Sequence, residues 1–195
     1  DPEWSHLDTT CSVTCFLTIY QVTQDKTGDE RINKARIRGF EFIAQWQRDS
    51  GLWKDETFHP AGIETTAHLM QYTLVPAYFM DKIDYAGKMC MDAAESMVAA
   101  QAENGSWDDE NTDHTMDACR NLMLVSDTFK TKKKYAPVIE KGVRWLMDIK
   151  NEQGWGDFPQ EPSNIERSAD GLDTLLKFRR YDSGEPMSHF WAFSK

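Results

Sequence analysis

The sequence is short of positive charge. Against 32 Asp and Glu it sets 22 Lys and Arg, a net charge of −10. That balance leaves no broad basic face and argues against nucleic acid and anionic membrane surfaces as partners. The single basic run, Lys130, Lys132, Lys133 and Lys134, is short and reads as a solvated linker. Long apolar runs are missing too, since no stretch approaches the roughly 20 residues of a transmembrane helix. Gly and Pro are sparse at 11 and 7, while 40% of residues are hydrophobic, which excludes a disordered chain. Cys11, Cys15, Cys90 and Cys119 form no CxxC pair, and no Cys/His spacing resembles a zinc module. They are expected as reduced core thiols in a cytoplasmic protein, with Cys11 and Cys15 on one helix face. No metal and no cofactor is expected. The first residue is Asp1 rather than Met, so a processed or trimmed N-terminus is an open expectation.

What is there is a repeat. The 195 residues suffice for one domain with a sizeable core. Trp4, Trp53, Trp107 and Trp155 stand 49, 54 and 48 residues apart. Three of them follow glycine, in Gly51-Leu52-Trp53, Gly105-Ser106-Trp107 and Gly154-Trp155. An apolar stripe of helical period precedes each of these turns: Ile37, Phe40, Ile43 and Ala44, then Met89, Ala93, Met97 and Ala100, then Val138, Val143, Trp145, Leu146 and Ile149.

A second helix follows each turn and begins with an acid, any residue, then Ser or Thr. The four starts are Asp8-Thr9-Thr10, Glu64-Thr65-Thr66, Asp113-His114-Thr115 and Glu166-Arg167-Ser168. Acid and hydroxyl in a first turn suit free N–H groups and the positive end of the helix dipole. Gly and Pro in His59-Pro60-Ala61-Gly62 and in Gln160-Glu161-Pro162-Ser163 mark loops upstream. The pattern predicts an all-α protein of about seven antiparallel helices, near 8–22, 32–48, 64–80, 85–102, 113–128, 135–150 and 166–179, in hairpin repeats of roughly 50 residues.

Arg38-Gly39, Phe42-Ile43, Gln47, Gly51 and Trp53 resemble, in order and spacing, the QW motif of squalene-hopene and oxidosqualene cyclases. Lys141-Gly142, Trp145-Leu146, Gly154 and Trp155 resemble a second copy, with Lys150 where Gln is expected and Trp one position early. Gln101, Gly105 and Trp107 give a degenerate third, and Trp4 the tail of a fourth. The resemblance implies the α/α toroid of terpenoid cyclases and protein prenyltransferases, with two concentric rings of helices. In that fold the Gln caps the next element and the Trp packs on it, so the motif speaks for fold rather than chemistry.

The same resemblance places the acidic helix starts at the DxDDTA motif of class II terpene cyclases. There the middle Asp protonates an alkene or epoxide, and aromatic faces stabilise the cations. Asp113 is the candidate acid, with His114 as its hydrogen-bonding neighbour; Asp8, Glu64 and Glu166, which fall at equivalent positions, are substrate-binding candidates together with His68 and Tyr72. No copy keeps all three acids: Asn111 and His114 flank Asp113. The four acids as helix-start caps is the alternative. Asp-x-Cys, expected of a zinc prenyltransferase, is absent, because Thr10, Thr66, Thr115 and Ser168 occupy the second place. The cluster Asp108, Asp109, Glu110, Asp113 and Asp117 is either a hard-cation site or a solvated acidic loop.

A closed six-hairpin toroid of such repeats needs about 300 residues, so a half-ring or arc is expected unless another chain or an oligomer closes it. Residues 1–180 are expected as the repeat domain and 181–195 as an irregular tail packed on it. That tail has a loop at Asp182-Ser183-Gly184-Glu185-Pro186 and an aromatic end at His189, Phe190, Trp191 and Phe193, which is either a packed cap or a partner-docking segment. Two functions follow as expectations. One is a cyclase- or prenyltransferase-like domain handling an isoprenoid in an aromatic concave face. The other is a non-catalytic scaffold recognising a peptide or protein partner.

Overall fold

A computed structural model describes residues 6–26, 28–53 and 62–185. Trp4, residues 59–61 and the aromatic end at 189–193 lie outside them. All regular elements among the described residues are helical: α1 Leu7–Thr23, α2 Glu30–Ala44, α3 Gly62–Leu69, α4 Val75–Phe79, α5 Asp84–Ala100, α6 Thr112–Thr128, α7 Lys132–Ile149 and α8 Ile165–Ser183. A π-helical turn, Met70–Leu74, joins α3 to α4, so 62–79 is one continuous helix. The Val75 N–H bonds to Met70 O, five residues back, just before Pro76, which has no N–H to give.

The chain divides into two compact units, the described residues through Glu95 and those from Ser96 onward. In the first, α1 packs on α2 and on the α3–α4 helix. In the second, α6 packs on α7 and α8. The expected stripes turn inward at Phe40, Ile43, Ala93, Met97, Val143, Trp145 and Leu146, but Ala100 is exposed at the frayed end of α5.

Two boundaries differ from expectation. Helix α2 stops at Ala44 rather than near 48, which frees Gln47 to leave the helix axis. Its Nε2 donates to Gly51 O at 2.8 Å and to Met89 O of α5 at 3.2 Å. Helix α8 runs on through Ser183, past the expected end at 179, because Gly184 supplies the left-handed stop (φ 77°) and Tyr181 is buried, its hydroxyl 2.9 Å from Ser126 Oγ.

One latch recurs at each Gly/Trp turn. Gly51, Gly105 and Gly154 take φ of 84°, 106° and 132°, a region that glycine enters without Cβ strain. Each following indole is buried and donates Nε1–H to a carbonyl of the preceding helix: Trp53 to Ile43 O at 2.8 Å, Trp107 to Met97 O at 2.7 Å, Trp155 to Leu146 O at 2.7 Å. The Trp backbone N–H then donates to the hydroxyl of the next helix start: Thr66 at 2.8 Å, Thr115 at 3.0 Å, Ser168 at 3.2 Å. The Ser/Thr of the sequence repeat therefore serves the turn behind it. On α6 and α8 the helix cap is asparagine, with Asn111 accepting from the His114 N–H and Asn164 from the Arg167 N–H.

Candidate functional site

The expected site residues fall in both units. In the first unit, Asp8 and Glu64 stand half-buried in the first turns of α1 and α3. The His68 and Tyr72 rings lie 5.9 Å apart, centroid to centroid. This unit also holds a charged pair that the sequence pattern did not single out. Arg36 of α2 is buried, its Nη2 3.0 Å from Asp81 Oδ2 in the loop after α4. Its Nε donates to Thr18 Oγ1 at 2.8 Å and its Nη1 to Gln21 Oε1 at 3.1 Å, so three segments close on one guanidinium. Burial lowers the Arg36 pKa and raises that of Asp81, while each partner's charge opposes the shift in the other. A cavity of about 360 Å³ lies against the pair, lined by Asn33, Arg36, Ile37, Met80 and Asp81.

Asp113 belongs to the second unit, at the start of α6, and faces α8. Its Oδ2 lies 3.1 Å from Arg167 Nη1, with the carboxyl 18% exposed. Glu166 reaches the same nitrogen at 3.5 Å, so Arg167 brings two of the expected residues together. Arg167 Nε also pairs with Asp157 at 2.8 Å, and its Nη1 with Asp170 at 3.4 Å. Two turns along α6, Arg120 binds Asp117 at 2.6 Å, Asp170 at 2.8 Å and Asp173 at 3.5 Å. Lys177 meets Asp173 at 2.5 Å. Six carboxylates thus share three cations across α6 and α8.

Burial and the nearby Asp117 push the Asp113 carboxyl up to about 6, against the pull of Arg167. The Asp113 group can therefore carry a proton in mildly acidic solution. His114 Nδ1 lies 3.0 Å from Asp108 Oδ2. The loop bearing Asp108, Asp109 and Glu110 holds all three in the left-handed region, at φ 46°, 54° and 68°, which is strained for residues with a Cβ. Among the described residues no group of three or more His, Cys, Asp or Glu is placed to hold a metal ion.

A periodic signal for this network exists in the sequence. Asp113, Asp117 and Arg120 step by four and three along α6; Arg167, Asp170, Asp173 and Lys177 step by three, three and four along α8. Such spacing puts each set on one helix face. What the sequence does not reveal is that the two faces meet.

Three of the four thiols are shielded by burial, and Cys15 is half-buried. Cys11 and Cys119 are buried and pushed up to about 12 by desolvation, and Cys90 is raised by the same cause. No helix among the described residues is long and apolar enough to cross a membrane. No protein-family model, curated protein or solved structure matches this chain.

Proposed function

We propose that the chain is a terpenoid-cyclase-like α/α-toroid repeat domain whose second unit works by binding, recognising a protein or peptide partner that carries positive charge. The Gln47 and Gln101 side chains support the toroid part. Each ties the end of one pre-turn helix to a carbonyl of the next, Met89 O at 3.2 Å and Val138 O at 2.9 Å, as the QW resemblance implies. The observation that carries the binding part is the setting of Asp113. It sits in a network of carboxylates and guanidinium groups, beside Arg167, where a cation-forming site needs aromatic faces and dry surroundings. The excess of carboxylate over cation on α6 and α8 suits lysine or arginine side chains of a partner.

The raised carboxyl of Asp113 favours a second reading, proton donation to an isoprenoid, because that chemistry begins with a protonated acid. One comparison separates the two. The chain is incubated with squalene and with linear polyprenyl diphosphates, and products are sought by mass spectrometry. In parallel, fluorescence anisotropy follows Lys/Arg-rich and Asp/Glu-rich peptides across a salt series. Binding of the basic peptides alone, weakening with salt and on Asp113→Asn with Asp170→Asn, supports the proposal. Cyclised product that disappears with Asp113→Asn overturns it.

A further inference from the structure

The buried pair of the first unit keeps hydrogen-bonding capacity that the protein does not use. An arginine side chain has five N–H donors. In Arg36 four are engaged: Nε with Thr18 Oγ1, Nη1 with both Gln21 Oε1 and Asp81 Oδ1 at 3.1 Å, and one Nη2 hydrogen with Asp81 Oδ2. The second Nη2 hydrogen meets no acceptor among the described residues. Only Arg36 donates to the Asp81 carboxylate there, so its oxygens also keep free lone pairs. Both side chains are more than nine-tenths buried, at 1% and 7% exposure, yet both line the cavity of about 360 Å³. An unused donor at such depth is unfavourable, and a ligand that accepts from it relieves that.

These groups are held in place by a further layer of hydrogen bonds. Gln21 turns its oxygen to Arg36 because its Nε2 donates to Lys26 O at 3.1 Å and to Asn33 Oδ1 at 2.7 Å. Thr18 donates to Thr14 O at 2.8 Å, which leaves its oxygen to accept from Arg36. Asp81 follows the helix that carries the π turn, a deformation that recurs at functional sites. Desolvation moves Arg36 and Asp81 toward their neutral forms, the mark of a poorly hydrated floor. The half-buried Ile37 and Met80 make the walls apolar. Fixed polar groups below apolar walls are the makeup of a small-molecule site. The two charges match each other, so an added anion meets Asp81 and an added cation meets Arg36.

We propose that this cavity binds a small uncharged molecule with a carboxamide group, whose carbonyl accepts from Arg36 Nη2 and whose N–H donates to an Asp81 oxygen, its apolar body lying between Ile37 and Met80. A carboxamide sets an acceptor beside a donor, as the edge of the Arg36–Asp81 pair sets a donor beside an acceptor. The Met80 thioether suits an aromatic body. The site lies wholly within the first unit and does not rest on the Asp113 cluster.

Benzamide, benzoate and benzamidine share one shape and differ in charge, which makes them the probes. Each is titrated into the ¹⁵N-labelled chain to roughly 10 mM, a range that reports millimolar dissociation constants, and followed by ¹H–¹⁵N NMR. Benzamide is expected to shift the amide signals of residues 33–37 and 80–81 along a saturating curve. Benzoate and benzamidine are expected to bind at least tenfold more weakly. Met80→Trp, which fills the cavity from one wall, is expected to abolish the benzamide titration while keeping the wild-type circular dichroism spectrum; Ile37→Trp does the same from the other wall. Asp81→Asn leaves the Arg36 charge unmatched and is expected to turn the preference toward benzoate. The wild-type ranking of the three probes decides alone where a variant does not fold. No benzamide titration at the highest concentration, equal binding of the three probes, or shifts that map away from the cavity overturns the proposal. Benzamide binding that a folded Met80→Trp chain retains overturns it as well.

Discussion

The two units use the same Trp latch and carry opposite kinds of polar cluster. In the first, Arg36 and Asp81 form one buried pair, at 1% and 7% side-chain exposure, with Arg36 also donating to Thr18 and Gln21. In the second, Asp113, Asp157, Asp170 and Asp173 are partly open to water and outnumber their cations. A balanced, buried pair has its charges already matched, and losing one member leaves a charge in a poor solvent. An open cluster with surplus carboxylate keeps capacity for protons and cations. The difference separates a structural use of charge from an interactive one within a single repeat pattern.

The sharpest break of this contrast is Asp81→Ala. It strands the Arg36 guanidinium and is expected to lower stability by about 3–5 kcal/mol in urea unfolding followed by tryptophan fluorescence. Asp113→Asn should act in the opposite direction. The carboxyl is raised in the folded chain, so its stabilising contribution is complete below about pH 4 and is lost as pH rises through about 6. Wild type should therefore gain stability as pH falls from 7 to 5. The Asn variant should be more stable at pH 7 by about 2 kcal/mol and flatter over that window, as read by thermal melts across pH. A wild-type curve that falls in stability over the same window would refute the raised carboxyl.

Two smaller changes probe what the units share. Gly142→Ala drives a methyl into Cys119 Sγ at 2.6 Å and Trp107 Cζ3 at 2.9 Å, and is expected to cost about 2 kcal/mol. Gly39→Ala meets chiefly a rotatable threonine hydroxyl and should cost less, so calorimetry of the pair ranks how tightly each unit is packed. Thr115→Val removes the acceptor for the Trp107 N–H and should cost about 1 kcal/mol, with Thr66→Val costing a similar amount in the first unit. Unequal costs would show that the latch is weighted toward one repeat.

Much of the helical layout was legible because the apolar positions recur at helical spacing and Gly marks each turn. Boundaries fell within a few residues, except where a side chain had a better use elsewhere, as Gln47 does beyond Ala44. The hydroxyls of Thr66, Thr115 and Ser168 were visible as a repeated feature, but their partner was not, since it lies in the preceding turn rather than in their own helix. Asp113 was singled out by its place in the repeat. Its partner Arg167, 54 residues later, appeared only as the middle residue of the helix start Glu166-Arg167-Ser168. Helix period shows which residues share a face and says nothing about which faces meet. Arg36 and Asp81 were missed for that reason, and because Arg36 sits among Arg31, Lys34 and Arg38, which together look like a solvated basic stretch.

The π turn at Met70–Leu74 winds one surplus residue into the third helix. Each residue of helix advances the spiral by about 100°, so everything after the turn is dialled round by that amount. Asp81 lies just beyond, and its carboxylate closes on Arg36 at 3.0 Å. Helix length is therefore the setting that decides whether this pair can meet. Removing a single residue between 70 and 74, together with Pro76→Ala, would yield a more regular helix that delivers Asp81 to the wrong side.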